Sequence, residues 1–383
     1  MSRTARPSFE ELFGRRPQVV AQAPGRVNVI GDHTDYNGGW VLPMPLPHCT
    51  QVELGWRGDE TVRVFSADVS GHGELQEYQL GAEAHGRGWL DYVQAVTWVL
   101  GGERVALPGV DLRISSSVPI GSGLSSSAAL LVAVLRAIRE AVSLPMNDLQ
   151  LALLAHRAEY NFVGAPVGVM DQMASSLGRP GTALLIDTRA LTFAHVDIPP
   201  EIELVVIHSG IAHDHAAGDY RVRRSECEQA CALLGITQLR DLAEADGDRV
   251  AALPDPLSRR VRHVINENAR VLRVVEVFRS GDLPALKPLL DQSHESLRSD
   301  YQVSIPEVDL LVELALQDPD ALGARLTGGG FGGSVLIAAR AGAGADVAQR
   351  VARDYAARTG RQARIILPEL PSPSRTPSEM ASI

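Results

Sequence analysis

The sequence predicts a mixed α/β (α+β) architecture: sheet and helix interleave in the first half, helices dominate the second, and strands return near the end. Three observations carry this. Short runs with a two-residue apolar period (VELGW, TVRVFSA, LQEYQL) lie between about Gln51 and Tyr78 and read as half-buried strands. The segments between Asp219 and Leu316 instead repeat apolar residues at helical spacing. Between Leu112 and Ser143 a strand pattern, a glycine-rich loop and an unbroken helix-forming run follow one another directly.

In chain order, GRGWLDYVQAVTWVL from Gly86 predicts an amphipathic helix, and DLRISSSVPIG a strand over Leu112 to Val118. Helices are expected from Ser125 to about Ser143 and from Asp148 to about Val163. TALLID, FAHVDI and IELVVIHS read as strands up to Ser209, the last apolar enough for a buried one. After the helical stretch, GARLTGGGFGGSVLIAAR from Gly323 has strand-like ends around five glycines. DVAQRVARDYAARTG predicts a helix and QARIILPEL a last strand. A domain boundary is placed near residue 195, separating residues 1–195 from 196–368. The segment 369–383 lacks apolar periodicity and is expected to be disordered.

The chain has 383 residues and a formal net charge of −10 without a long basic run, so nucleic acid is not an expected partner. RVRR at Arg221 to Arg224 reads as a solvated helix face. The N-terminus has no apolar core of a signal peptide, and the longest apolar run, from Ala128, is too short to span a bilayer. Three cysteines, Cys49, Cys227 and Cys231, do not make a disulfide framework. A cytoplasmic protein without membrane contact is expected, as a monomer with a homodimer the alternative. Cys227 and Cys231 could share a helix face, but no further ligands accompany them, and buried or surface thiols are the expectation.

Three stretches carry chemistry. In SGLSSSAAL, Ser122 to Leu130, a glycine-rich loop opens onto a helix N-terminus, which presents unpaired N–H groups and a positive dipole end to an anion. No Lys precedes the serines, so this is not a Walker A loop. A tight turn with Ser125 as helix cap is the competing reading. APGRVNVIGDHTDYNGGWVLPMPL, Ala23 to Leu46, packs Arg26, Asp32, His33, Asp35 and Asn37 among glycines, which suits a polyhydroxylated ligand; an Asx-turn is the alternative. AEYNFVGAPVGVMDQMASSLG holds Glu159 near a helix end and Asp171 in a glycine-bounded loop with apolar neighbours. Asp171 is the candidate base for an acceptor hydroxyl, with a helix cap the competing role.

GRVNVIGDHTDYNGG (Gly25 to Gly39), PIGSGLSSSAA (Pro119 to Ala129) and LTGGGFGGS (Leu326 to Ser334) resemble, in order and separation, the three signatures of the GHMP kinases. The first, with VGVMDQ at Val167, resembles the galactose-phosphorylating branch. The resemblance implies a two-domain GHMP kinase fold with its site in the cleft between domains. It also implies use of ATP and Mg²⁺ to convert galactose to galactose 1-phosphate, the first committed step of galactose catabolism. Position by position, it makes Asp171 the base and Arg26 its charge-stabilising neighbour. Asp32, His33, Thr34, Asp35, Gly168 and Tyr220 would hold the sugar. Gly121, Ser122, Gly123, Leu124, Ser125, Ser126 and Ser127 would hold the ATP phosphates, with Ser66 near the nucleotide. Ser127 and Glu159 would hold magnesium.

Two positions depart from the pattern: Asp32 stands where the family usually has Glu, and Val167 where Cys is common. The TGGGFGG signature is expected to support the site by close backbone packing. HSGIAHDH, His208 to His215, reads as a loop beside Tyr220 and not as a metal site, lacking the ligand spacing of one. Kinases for N-acetylgalactosamine or arabinose, and a non-catalytic galactose and ATP sensor, are the alternatives. The complete Arg26, Glu159 and Asp171 set argues against the sensor.

Overall fold

The computed structural model describes residues 6–66, 68, 73–211 and 216–367. The predicted tail, 369–383, lies outside them, as do His213 and His215. Twelve strands, among the described residues, form three sheets. The first has the order β1 (Val19–Asn28), β3 (Pro43–Trp56), β6 (Val110–Ser116), β4 (Thr61–Ser66), β5 (Gln76–Gln79). The second is β10 (Ala321–Thr327), β11 (Ser334–Arg340), β9 (Ile202–His208), β12 (Arg364–Leu367). The third, smaller one is β2 (Trp40–Val41), β7 (Thr182–Asp187), β8 (Thr192–Asp197).

The helices follow from their apolar faces. After the short, capped α1 (Phe9–Phe13), α2 (Leu90–Gly102) supplies the crossover that the parallel pair β4 and β6 requires. With α3 (Ser126–Ala141) and α4 (Asp148–Arg157) it covers the first sheet. Val52, Leu54, Val64 and Leu112 pack there against Leu131, Leu135 and Ile138. A short α5 (Met170–Leu177) follows. The helical half contains α6 (Ala216–Leu234), α7 (Gly247–Ala251), α8 (Leu257–Ser280), α9 (Leu286–Ser299) and α10 (Pro306–Gln317); α11 (Gly344–Thr359) follows the second sheet. A third core cluster ties the parts together: Val27, Val29, Ile30 and Leu42 meet Val206, Val271, Val274 and Leu336.

Two local features depart from the sequence expectation. The helix expected through Val163 stops at Arg157 and widens into a π-helical turn over Ala158–Val163. The sequence conceals such a turn, because its residues are ordinary helix formers and nothing in the apolar pattern shows whether an N–H reaches back four residues or five. Asp171, expected in a loop, sits in the first turn of α5. β1 also breaks its register with β3 between Pro24 and Arg26, a bulge at Gly25 that re-aims the residue after it.

Candidate active site

The bulge at Gly25 lets β1 meet the serine loop. A Cβ at Gly25 would stand 2.8 Å from the Leu124 carbonyl oxygen, and the Arg26 amide donates to that same oxygen at 3.1 Å. Arg26 thereby projects between the loop and α5. Its Nε and Nη2 donate to Oδ1 and Oδ2 of Asp171, each at 2.8 Å, and Nη1 donates to the Gly123 carbonyl at 2.6 Å. Ser125 Oγ adds a third donor to Asp171, reaching Oδ2 at 2.5 Å. Ser125 has a left-handed backbone (φ 60°) and makes no side-chain cap, so neither competing cap reading describes what these side chains do.

The rest of the serine loop is built for backbone chemistry. Gly121 (φ 71°) and Gly123 (φ 75°) are exposed and left-handed, Ser122 Oγ is spent on the Pro119 carbonyl at 2.7 Å, and Leu124 is buried as an anchor. Ser126 and Ser127 open the 16-residue α3, whose first N–H groups lack intrahelical partners as at any helix N-terminus. Below the loop lies the TGGGFGG strap. Ser334 Oγ donates to the Ser122 carbonyl at 3.0 Å, and a Cβ on Gly328 (φ 90°) would lie 3.1 Å from the Gly123 oxygen. Close backbone packing is therefore its contribution, together with Gly328 and Gly329 in the wall of a neighbouring pocket.

Glu159 lies in the π turn, 3% exposed, and accepts from Gln172 Nε2 at 2.6 Å. Burial pushes its carboxyl up to about 7, a rise that the Ser127 hydroxyl beside it partly offsets. The structure thus brings Ser127 and Glu159 together. Two hard oxygen donors, one a buried carboxylate with no cation hydrogen-bonded to it, fit a magnesium ion that keeps most of its waters.

A pocket of about 140 Å³ adjoins Asp171, walled by Arg26, Asp32, His33, Asp35, Tyr220 and Gly329 among others. Asp35 enters from a 3₁₀ turn (Asp35–Asn37), and burial, then the Asp171 charge, push its carboxyl up to about 7. A Cβ at Gly168 would lie 2.0 Å from Asp35 Oδ2, so Gly168 makes room for the carboxylate and does not itself line the pocket. His33, with φ 65°, is held near pKa 3 by burial and so stays neutral. Its Nδ1 is 2.9 Å from Tyr36 Oη, and Tyr36 Oη is 2.8 Å from Tyr301 Oη, itself 3.2 Å from Cys227 Sγ. Tyr220 reaches the pocket from α6, its ring 5.4 Å from that of His33.

Two expected sugar contacts have other work. Thr34 is fully buried and its hydroxyl lies 2.8 and 2.6 Å from the Gly31 and Trp40 carbonyl oxygens, sharing its one proton between them and closing the turn without lining the pocket. Asp32 does line the pocket, but its oxygens accept from Arg325 Nη2 at 2.5 Å and from the Gly328 amide at 3.1 Å. Ser66 is buried at the end of β4 and pairs with Ile114 of β6. Among the described residues no cluster of three metal-ligating side chains occurs, and all three cysteines are free.

Residues that the sequence did not single out underlie this loop. Arg325, fully buried on β10, also donates Nε to Ser293 Oγ at 3.0 Å and Nη1 to the Val29 carbonyl at 3.1 Å. Glu267 on α8 accepts from the Gly31 amide (3.0 Å), Ser293 Oγ (2.7 Å) and Arg270 Nε (2.7 Å). Burial alone would raise its carboxyl, but Arg270 and Arg325 hold it at about 2. A charged residue inside an apolar strand pattern, GARLT, is the one sequence signal that could have revealed this network.

Fold and site together define a GHMP kinase. The profile for the GHMP kinases N terminal domain matches residues 91–179, that for the GHMP kinases C terminal residues 274–357, and the galactokinase galactose-binding signature residues 7–55. A galactokinase of Streptomyces coelicolor is 43% identical over 373 residues, 95% of each chain. One of Chloroflexus aurantiacus is 44% identical over 362 residues, 93% of this chain and 92% of that protein. The crystal structure of Lactococcus lactis galactokinase complexed with galactose superposes with a TM-score of 0.88 at 30% identity, covering 93% of this chain and 95% of that one. A mevalonate kinase shares the fold at a TM-score of 0.66 and 16% identity. The chain belongs to the galactokinase family.

Proposed function

We propose that this chain transfers the γ-phosphoryl group of ATP directly to the anomeric hydroxyl of galactose, giving galactose 1-phosphate and ADP, with Asp171 and Arg26 as the catalytic pair. The observation that carries the proposal is the Arg26 guanidinium, which forks onto Asp171 and reaches the Gly123 carbonyl. One side chain thus fixes the carboxylate facing the sugar pocket relative to the loop that cradles phosphate. Three donors fill three of the about four acceptor positions of that carboxylate. The remaining position orients the sugar hydroxyl and takes its proton. In a loose transition state that proton leaves late, so a fixed acceptor suffices, and Arg26 offsets the charge that develops.

Asp35 accepts from sugar hydroxyls, neutral His33 and Tyr220 complete the grip, and Asp32 contributes through the frame that Arg325 holds. Ser127 and Glu159 would hold Mg²⁺, which when bound neutralises charge on the ATP phosphates. A cytoplasmic setting belongs to the same reading, supported by three cysteines that all remain thiols. So does a division into units of residues 1–195 and 196–368. One core cluster supporting it draws its buried residues from 19–162, and another draws them from 205–355.

A coupled ADP-release assay across galactose, N-acetylgalactosamine, arabinose and glucose tests the function. Turnover is expected with galactose, reduced about 10²- to 10⁴-fold in Asp171→Asn. Full activity of that variant would overturn the assignment of Asp171, and no turnover with any sugar would favour a sensor.

A further inference from the structure

Of the histidines in HSGIAHDH, His208 is the one within the described residues. It ends β9, half-buried, paired across one ladder with Ser334 of β11 and across the other with Arg364 of β12. The Gly210 amide donates to its Nδ1 at 3.0 Å, so the neutral ring carries its proton on Nε2. Nε2 is sealed from water. Burial, then the Arg364 charge, lower the pKa of the ring, and the Gly121 backbone opposes them. Only a carbonyl accepting from the ring acts in that sense, so Nε2 meets the Gly121 oxygen, in a contact still short of a full hydrogen bond.

Four consecutive carbonyls of the serine loop thus have partners outside it. His208 reaches Gly121, Ser334 Oγ donates to Ser122, Arg26 Nη1 to Gly123, and the Arg26 amide to Leu124. A trans peptide sets its C=O and the following N–H antiparallel, so each held carbonyl aims the next amide the opposite way. Among the described residues, the amides of Ser122, Gly123, Leu124 and Ser125 find no backbone acceptor. We propose that His208 is a positioning residue for ATP: from the second sheet it holds the Gly121 carbonyl and so aims the Ser122 amide at the phosphates. The proposal rests on the reading of this loop as the phosphate cradle. A phosphate that accepts from the Ser122 amide polarises the same peptide and makes the Gly121 oxygen a better acceptor, so the bond from Nε2 closes as nucleotide binds. His208 lines no part of the sugar pocket, and galactose binding does not depend on it.

The full chain and its His208 variants are titrated with ADP by calorimetry, with KM for ATP and for galactose taken from the ADP-release assay. His208→Phe keeps a ring of similar size without a donor; it should weaken ADP binding and raise KM for ATP about fivefold, with galactose KM unchanged. His208→Gln restores a donor at similar reach and should recover most of that loss. In the imidazole nitrogen NMR spectrum of histidine-labelled chain, the His208 signal, assigned by its disappearance in His208→Gln, should report a proton on Nε2 and move when ADP is added. The proposal is overturned if His208→Phe binds ADP as the parent does, if His208→Gln falls as far as His208→Phe, if galactose KM rises by the same factor, or if the proton sits on Nδ1. Absent turnover with any sugar, while ADP binding follows the expected order of variants, would instead sink the kinase reading and leave the tie to the loop standing.

Discussion

Asp35 shows how a single carboxylate can cost stability and supply affinity. Its pKa of about 7 in the free protein lies above the roughly 3.9 of an unfolded Asp, so between those values the folded state holds a proton that the unfolded state has released. Folding stability from this group is therefore full below about pH 4, falls as pH rises, and has been lost above 7. Asp35→Asn removes the titration. The variant's Tm relative to the parent should climb between pH 5 and pH 8, by about 1 °C for each kcal/mol of ionisation cost relieved. Galactose KM should move the other way, rising about tenfold or more, since an amide replaces a charged acceptor. A flat Tm difference across that range in scanning fluorimetry would show that Asp35 is ionised at no cost. His33 carries a different lesson: held near pKa 3, it gives sugar binding no protonation step of its own near neutral pH.

At the scale of elements, the bulge of β1, the serine loop and the glycine strap form a stack with little room between backbones. Gly25→Ala places a methyl group 2.8 Å from the Leu124 carbonyl oxygen, a backbone contact that no side-chain rotation can relieve, and 2.8 Å from Val118 Cγ1. It should cost about 1–3 kcal/mol and raise the KM for ATP by displacing the loop. Gly121→Ala meets nothing within 4 Å and carries only the left-handed backbone penalty of about 1–2 kcal/mol, so ATP binding should suffer less. Equal KM values for the two variants would mean that the β1 contact does not set the loop. This stack was legible in the sequence because its glycines and serines cluster where ordinary turns need only one or two. Asp171 was legible as a carboxylate among apolar residues, and Glu159 only through the family resemblance. The π turn was not, since its residues continue the apolar period of the helix before it. Nor was the aromatic chain from His33 to Cys227. Tyr301 and Cys227 lie on separate stretches of chain, and a tyrosine or cysteine at a buried helical position looks the same whether or not its polar atom has a partner.

Across the whole molecule, the sugar loop is held from the far end of the chain, and that long-range tie is what sequence reading could not supply. Asp32 and Arg325 are 293 residues apart, yet Arg325 is fully buried and bonds the loop, Ser293 and the β1 end at once. Arg325→Met keeps the volume and leaves Asp32 and Glu267 as buried carboxylates with one cation fewer between them. Removing one partner of a buried charge network costs about 3–5 kcal/mol. The variant should melt well below the parent, and galactose should restore less of its Tm than it restores to other destabilised variants. The charge argument has its own control. Adding Asp32→Asn to Arg325→Met removes the stranded carboxylate, so Tm should recover in part while galactose KM stays high. A shape argument predicts the reverse order, with the double variant the less stable. The two melting curves, measured with and without galactose, therefore separate electrostatic positioning of the loop from simple packing of β10 against it.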